Sequence, residues 1–309
     1  MIVHGAKNSV LKLMAATILA EGRHVLTNVP QIRDVEIMAE MLEALGIRVT
    51  TSGPHELTIE TPATAEVAVV APYELVEKMR ASIVVLGPLL ARCGRATVSM
   101  PGGDDFGSRP IDYHLHGLEE MGATFTSAHG FINGEVAAGR LHGAVLGLEF
   151  PSHTTTDNLL MAAVLAEGTT VIENAAREPE VVDLANFLIA MGAVIEGAGT
   201  SRITVTGVEA LTPVTHAVVG DRVVAATYLT AVAMTGGSLQ VRGVDSSHLE
   251  MLLAKLHQVG VQVHANGSTV EVAMEQRLVA TDFATLPYPG VATDYTPCLV
   301  AALSVATPG

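Results

Sequence analysis

The chain has 309 residues, of which 49% are apolar, enough for one or two domains with a large core. Lys and Arg number 17 against 32 Asp and Glu, a net charge of −15, which argues against nucleic acid or an anionic membrane surface as a partner. Salt screens that repulsion beyond roughly 8 Å, so an anionic ligand would still need its own local cluster of cations.

Ala, Val, Leu and Gly dominate and aromatics are few, a balance that predicts an α/β (α+β) fold. The opening MIVHGAKN lacks a charged-then-apolar leader, and no apolar run reaches the ~20 residues that span a bilayer. A cytoplasmic protein is the expectation. Cys93 and Cys298 lie in apolar runs, which predicts two buried thiols rather than a disulfide.

In chain order, an apolar helix (SVLKLMAATILAEG) ends at Gly22 and a strand, HVLTNV, follows. A second, amphipathic helix ends in LEALG at Gly46, then come the strands IRVT and Glu56–Glu60. The same succession returns with a period of roughly 70 residues, too long for a solenoid repeat. Its first helices are ASIVVLGPLLARCG, NLLMAAVLAEG and VVAATYLTAVAMTGG, and its second helices end in LEEMG, LIAMG and LHQVG. Apolar residues recur every three or four positions, and the glycine stands where a left-handed helix cap is expected. Each unit reads β-α-β-α-β-β. A fifth begins at TDYTPCLVAALSVATPG and stops at Gly309, so a C-terminal truncation is expected, and the first unit is short at its front.

The stretch from Pro101 to Pro110 (PGGDDFGSRP) sets three glycines, two carboxylates and one arginine between two prolines. It fits a loop over a polar ligand, in which Asp104 or Asp105 supplies a proton and Arg109 forks onto a phosphate. It fits an ordinary surface turn as well.

Longer segments decide more. GAKNSVLKLMAATILAEG, LTNVPQIRDVEIMAEMLEALG, LVEKMRASIVVLGPLLAR, PGGDDFGSRPIDYHLHGLEEMGA, NLLMAAVLAEGTTVIENAAREPEVVDLANFL and YPGVATD run from end to end of the chain. It resembles the enolpyruvyl transferases, most closely the branch acting on a UDP-sugar. The resemblance implies two similar domains, each of three β-α-β-α-β-β units around a pseudo-threefold axis (an inside-out α/β barrel), with the active site in the cleft between them. Residues 7–219 would form the first domain, with the mobile loop 101–110. Residues 220–309, with 1–6, would form a partial second domain, and the chain alone is expected to be inactive.

The implied reaction moves the enolpyruvyl group of phosphoenolpyruvate onto the 3′-hydroxyl of UDP-N-acetylglucosamine and releases phosphate, which starts peptidoglycan precursor synthesis. No metal or organic cofactor is implied. The partners would be these two small molecules, and a monomer is expected. Lys7 and Asn8 match the substrate-contacting pair, with Lys7 on the phosphate. Arg80 and Arg109 match two further phosphate-site arginines. Pro110, Ile111, Asp112 and Tyr113 match the segment that holds the uracil ring. Asp294 matches the carboxylate beside the sugar hydroxyl, the candidate general base; by itself it reads as a helix N-cap.

Two departures stand out. Most of the family carries cysteine at Asp104, the presumed proton donor, so resistance to the cysteine-alkylating inhibitor fosfomycin is expected. The usual Ser-Val-Gly-Ala-Thr against the diphosphate reads Ser152-His153-Thr154-Thr155-Thr156 here, and Phe150 stands near the place of a common lysine. These changes leave open another nucleotide acceptor, and a non-catalytic nucleotide-binding paralogue is a further alternative.

Overall fold

A computed structural model describes residues 1–99, 111–128 and 130–307. It divides into two compact units, Lys7–Val218, and Met1–Ala6 with Val219–Gly309.

In Lys7–Val218 the repeat appears three times. First come α1 (Lys7–Ala16), β1 (Gly22–Thr27), α2 (Arg33–Ala44), β2 (Arg48–Gly53) and β3 (Glu56–Thr61). Next are α3 (Tyr73–Lys78), α4 (Leu86–Cys93), β4 (Arg95–Ser99), α5 (Asp112–Glu120), β5 (Thr124–Ala128) and β6 (Phe131–Glu135). The third set is β7 (Val145–Gly147), α6 (His153–Ala163), β8 (Thr169–Glu173), α7 (Pro179–Ala190), β9 (Val194–Glu196) and β10 (Arg202–Thr206), and β11 (Thr215–Ala217) follows. The sheets run β11-β1-β3-β2, β4-β6-β5 and β7-β8-β10-β9.

In each sheet of this unit the strand after the first helix has a parallel partner from outside its own helices and hairpin, supplied in two of the three from ahead of that helix. In the third it is β7 on β8, and in the second a single bridge joins Val70 to Thr97. Among the described residues no strand ahead of α1 pairs with β1. β11, from the far end of the unit, pairs parallel with β1 in its place, Val25 opposite Thr215. The three sets thus close into a ring.

The helices α1, α4 and α6 are buried almost all round, as a core helix with apolar residues on every face must be. The second helix of each set is amphipathic and ends at the shared glycine. Gly46, Gly122 and Gly192 have φ of 84°, 96° and 108°, a conformation side chains with a Cβ rarely adopt.

The other unit holds one more set: α8 (Arg222–Thr235), β12 (Gly237–Arg242), α9 (Glu250–Gln258), β13 (Gln262–Asn266) and β14 (Thr269–Met274), then α10 (Thr296–Ser304). Its sheet runs β12-β14-β13, and Ile2 bridges Arg242 in parallel. A separate apolar core, including Leu229, Leu252 and Val272, fills this unit.

The expectation of two buried thiols is corrected. Cys93 and Cys298 are free and only partly buried. Cys93 ends α4, where the helix runs out of the core, and Cys298 lies in the first turn of α10, its Sγ 3.6 Å from Thr227 Oγ1.

Candidate active site

Two helix starts carry five of the predicted site residues in Lys7–Val218. Lys7 opens α1 and Asn8 follows it. The Lys7 side chain is half-exposed, with Nζ 3.8 Å from Asp34 Oδ1 on α2. An exposed pair at that separation contributes less than ~1 kcal/mol, so an arriving phosphate would compete with Asp34 for the ammonium.

α6 starts on Ser152, whose Oγ accepts from Thr155 N–H at 3.4 Å, the arrangement a hydroxyl residue ahead of a helix favours. His153 and Thr154 fill its first turn, partly exposed. Thr156 Oγ1 donates to Ser152 C=O at 2.8 Å and accepts from Ala176 N–H at 3.0 Å, which ties the turn to the segment before α7. The positive end of the helix dipole makes such a turn suited to an anion.

Ile111 is buried just before α5, and Asp112 opens that helix, exposed. The Tyr113 hydroxyl donates to Glu149 Oε2 at 3.4 Å. Desolvation, then the charges of Glu149 and Asp112, push the phenol above its usual range. Arg80 opens a single 3-10 stretch, Arg80–Val85. Its side chain, and the whole of Asp104, Arg109 and Pro110, lie outside the described residues.

In the other unit, Asp294 sits exposed in the turn Thr293–Tyr295 that leads into α10. It is not the N-cap that the sequence suggested: Ala292 precedes the turn and Tyr295 precedes α10. Pro297 in the first turn of α10 does the pre-organising instead, its fixed φ matching the helix. The buried Arg222 braces this segment from α8. Its Nη1 donates to Tyr295 Oη at 3.2 Å, and its guanidinium stands 5.5 Å from the ring centre of Tyr288.

The sequence reading missed the polar groups buried next to these helix starts. Lys12, in the second turn of α1, is almost wholly buried, donates to Asn8 C=O, and lies 3.8 Å from Asp157 Oδ2. Asp157, on α6, has no exposed surface, and His153 Nε2 is 3.4 Å from the same oxygen. Burial raises the Asp157 carboxyl to about 7, against the opposing pull of Lys12 and with help from Glu178 and Glu180. In the sequence Lys12 interrupts the apolar run of α1, and Asp157 stands just ahead of the apolar part of α6.

Asn158, beside it, accepts from Gly87 N–H at 2.7 Å and donates to Ile83 C=O at 3.3 Å, while His114 Nδ1 lies 3.0 Å away. A Cβ at Gly87 would overlap the Asn158 oxygens, so α4 and α6 touch backbone to side chain only because that residue is glycine. Ser9 donates to Asp183 Oδ2 at 2.5 Å, and His216 Nε2 is 2.8 Å from Oδ1, which links α1 to α7 and β11. Among the described residues, no group of three or more His, Cys, Asp or Glu is placed to hold a metal ion, and no helix is long and apolar enough to cross a membrane.

Comparison with known proteins fits this architecture. The family model described as EPSP synthase (3-phosphoshikimate 1-carboxyvinyltransferase) matches residues 1–308. The chain belongs to this enolpyruvyl transferase family. It is 51% identical over 303 residues to the UDP-N-acetylglucosamine 1-carboxyvinyltransferase of Corynebacterium jeikeium, covering 98% of this chain and 71% of the relative. It is 50% identical over 304 residues to the protein of the same name from Mycobacterium tuberculosis, covering 98% of this chain and 72% of the relative. Among solved structures, the enolpyruvyl transferase NikO from Streptomyces tendae superposes with a TM-score of 0.85 at 22% identity, over 99% of this chain and 72% of that one. EPSP synthase from Acinetobacter baumannii gives 0.70 at 19% identity, over 99% and 71%. At such identities these two establish the shared fold.

Proposed function

We propose that this family member transfers the enolpyruvyl group of phosphoenolpyruvate to the 3′-hydroxyl of UDP-N-acetylglucosamine, at the entry to peptidoglycan precursor synthesis in the cytoplasm. The observation that carries this choice of acceptor is the identity of about half of all positions, over nearly the whole chain, with proteins named for that activity.

The chemistry assigns the roles. Asp294 takes the proton of the sugar hydroxyl as its oxygen attacks C2 of phosphoenolpyruvate. Asp104 gives a proton to C3 in the same addition, which leaves a tetrahedral ketal. Loss of a proton from C3 then expels phosphate and restores the double bond. Lys7, Arg80 and Arg109 neutralise the phosphate and carboxylate. Asn8 holds the sugar, Pro110 to Tyr113 the uracil ring, and Ser152, His153 and Thr154 the diphosphate at the start of α6. Compact ammonium and forked guanidinium groups suit this division of labour. To act as an acid, Asp104 must bind its proton far above its free value of about 3.9, and desolvation beside bound phosphoenolpyruvate would supply that shift.

The test is phosphate release from phosphoenolpyruvate by the full-length protein, with UDP-N-acetylglucosamine, other nucleotide sugars or shikimate 3-phosphate as acceptor. Release that depends on UDP-N-acetylglucosamine supports the reading. Release with another acceptor alone moves the function to that acceptor, and tight nucleotide binding without release makes the protein a binding paralogue.

A further inference from the structure

The turns that carry Lys7 and Asn8, and Ser152 to Thr154, share one buried carboxylate. Lys12 reaches the first turn of α1 through Asn8 C=O and reaches α6 through Asp157. His153, in the first turn of α6, meets the same Asp157 oxygen. Neither Asp157 oxygen makes a hydrogen bond among the described residues. Its close contacts to Lys12, at 3.8 Å, and to His153, at 3.4 Å, change in strength when it gains or loses a proton.

The described charged groups acting on Asp157 are Lys12 from α1, His153 from its own helix, Glu178 from the segment before α7, and Glu180 from α7 itself. Keeping a charged carboxylate in a dry site is costly, and a proton is the cheapest relief.

We propose that Asp157 is a positioning residue, which holds the first turns of α1 and α6 in register through Lys12 and His153 and does so as a proton-linked unit. Burial lifts the Asp157 carboxyl to about 7, which puts the switch within the working range of the protein. Only the description of these turns as ligand-bearing rests on the function proposed above. An anion seated at α6 would add negative charge beside the cluster and favour its protonated form, so affinity for a UDP-sugar should fall as pH rises through 7.

The test needs no ligand. Amide hydrogen exchange, corrected for the intrinsic rate, is followed at residues 11–13 and 156–158 of the intact chain at pH 5.5 and pH 8. Any opening that exposes Asp157 becomes easier as it ionises, so protection should fall about tenfold or more in both helices together. Asp157→Asn, close to isosteric, should abolish the pH dependence in both. Lys12→Met should abolish it in α1 and keep it in α6, a split that a purely structural role would not produce. Carboxyl carbon NMR of the unaltered protein reads the Asp157 titration directly, should either variant fail to fold.

A response in α6 without α1 in the unaltered protein, an unchanged pH dependence in Asp157→Asn, or an Asp157 midpoint near 4 would overturn the proposal. Absence of UDP-N-acetylglucosamine binding at every pH would refute the functional reading instead, and exchange would still decide the bridge.

Discussion

Replacing Asp157 by asparagine should make the protein less sensitive to alkali. The carboxyl is raised from 3.8 to about 7 in the folded chain, chiefly by burial. An acid whose folded value is raised favours the folded state below its unfolded value, and that advantage is lost as pH climbs through the folded value. The window is therefore pH 4 to 7. The gap is roughly three units, and at ~1.4 kcal/mol each the full loss is about 4 kcal/mol. Between pH 5 and pH 8 about 3 kcal/mol of this should be seen.

His24 works against it. Burial lowers that imidazole from 6.5 to about 4, so its contribution is present above 6.5 and lost as pH falls toward 4. That is a further ~3 kcal/mol of opposite slope, and the unaltered protein should look nearly flat from pH 4 to 6.5. The informative quantity is the difference between variant and parent. Urea unfolding at pH 5, 6.5 and 8 should show the Asp157→Asn protein gaining about 3 kcal/mol relative to the parent across the series. A difference constant within ~0.5 kcal/mol would mean that Asp157 titrates like an exposed carboxylate, and would refute the reasoning.

Three further outcomes are expected. Asn158→Ala strands the buried Gly87 N–H and Ile83 C=O, and urea unfolding should register a loss of ~2–4 kcal/mol. Arg222→Met removes the donor to Tyr295 and the cation near Tyr288, so hydrogen exchange should rise in residues 219–307 while Lys7–Val218 is unaffected. Fosfomycin, which alkylates a cysteine thiolate in most of the family, should leave no adduct on Asp104 by mass spectrometry, because a carboxylate is a far weaker nucleophile.

The repeat was legible because its physics is local. An apolar helix, a glycine, a strand and an amphipathic helix closed by a second glycine make a pattern that any copy must keep. β11 was not legible. Thr215–Ala217 has no periodicity of its own and earns its place only by pairing with Val25–Thr27, far away in the chain. Lys12 was hidden for a different reason: a lysine within a helix ordinarily faces water, and nothing in SVLKLMAA says that this one faces Asp157. Asp294 misled because a carboxylate ahead of an apolar run is the usual mark of a cap, whereas Pro297 carries that duty here. Lys7 and Asn8 are singled out by a long matching segment, and Ser152 by comparison with the usual family pattern around it, not by their chemistry, since a lone surface lysine or serine has no functional signature.

In the proposed reaction Lys7 holds the phosphate that leaves and Asp294 takes the proton of the sugar hydroxyl. Phosphate release with saturating phosphoenolpyruvate and UDP-N-acetylglucosamine, compared among the full-length parent, Lys7→Met and Asp294→Asn, tests it most directly. Each change should slow release by ~100-fold or more with the fold intact. Release at the parental rate from either variant would contradict the account.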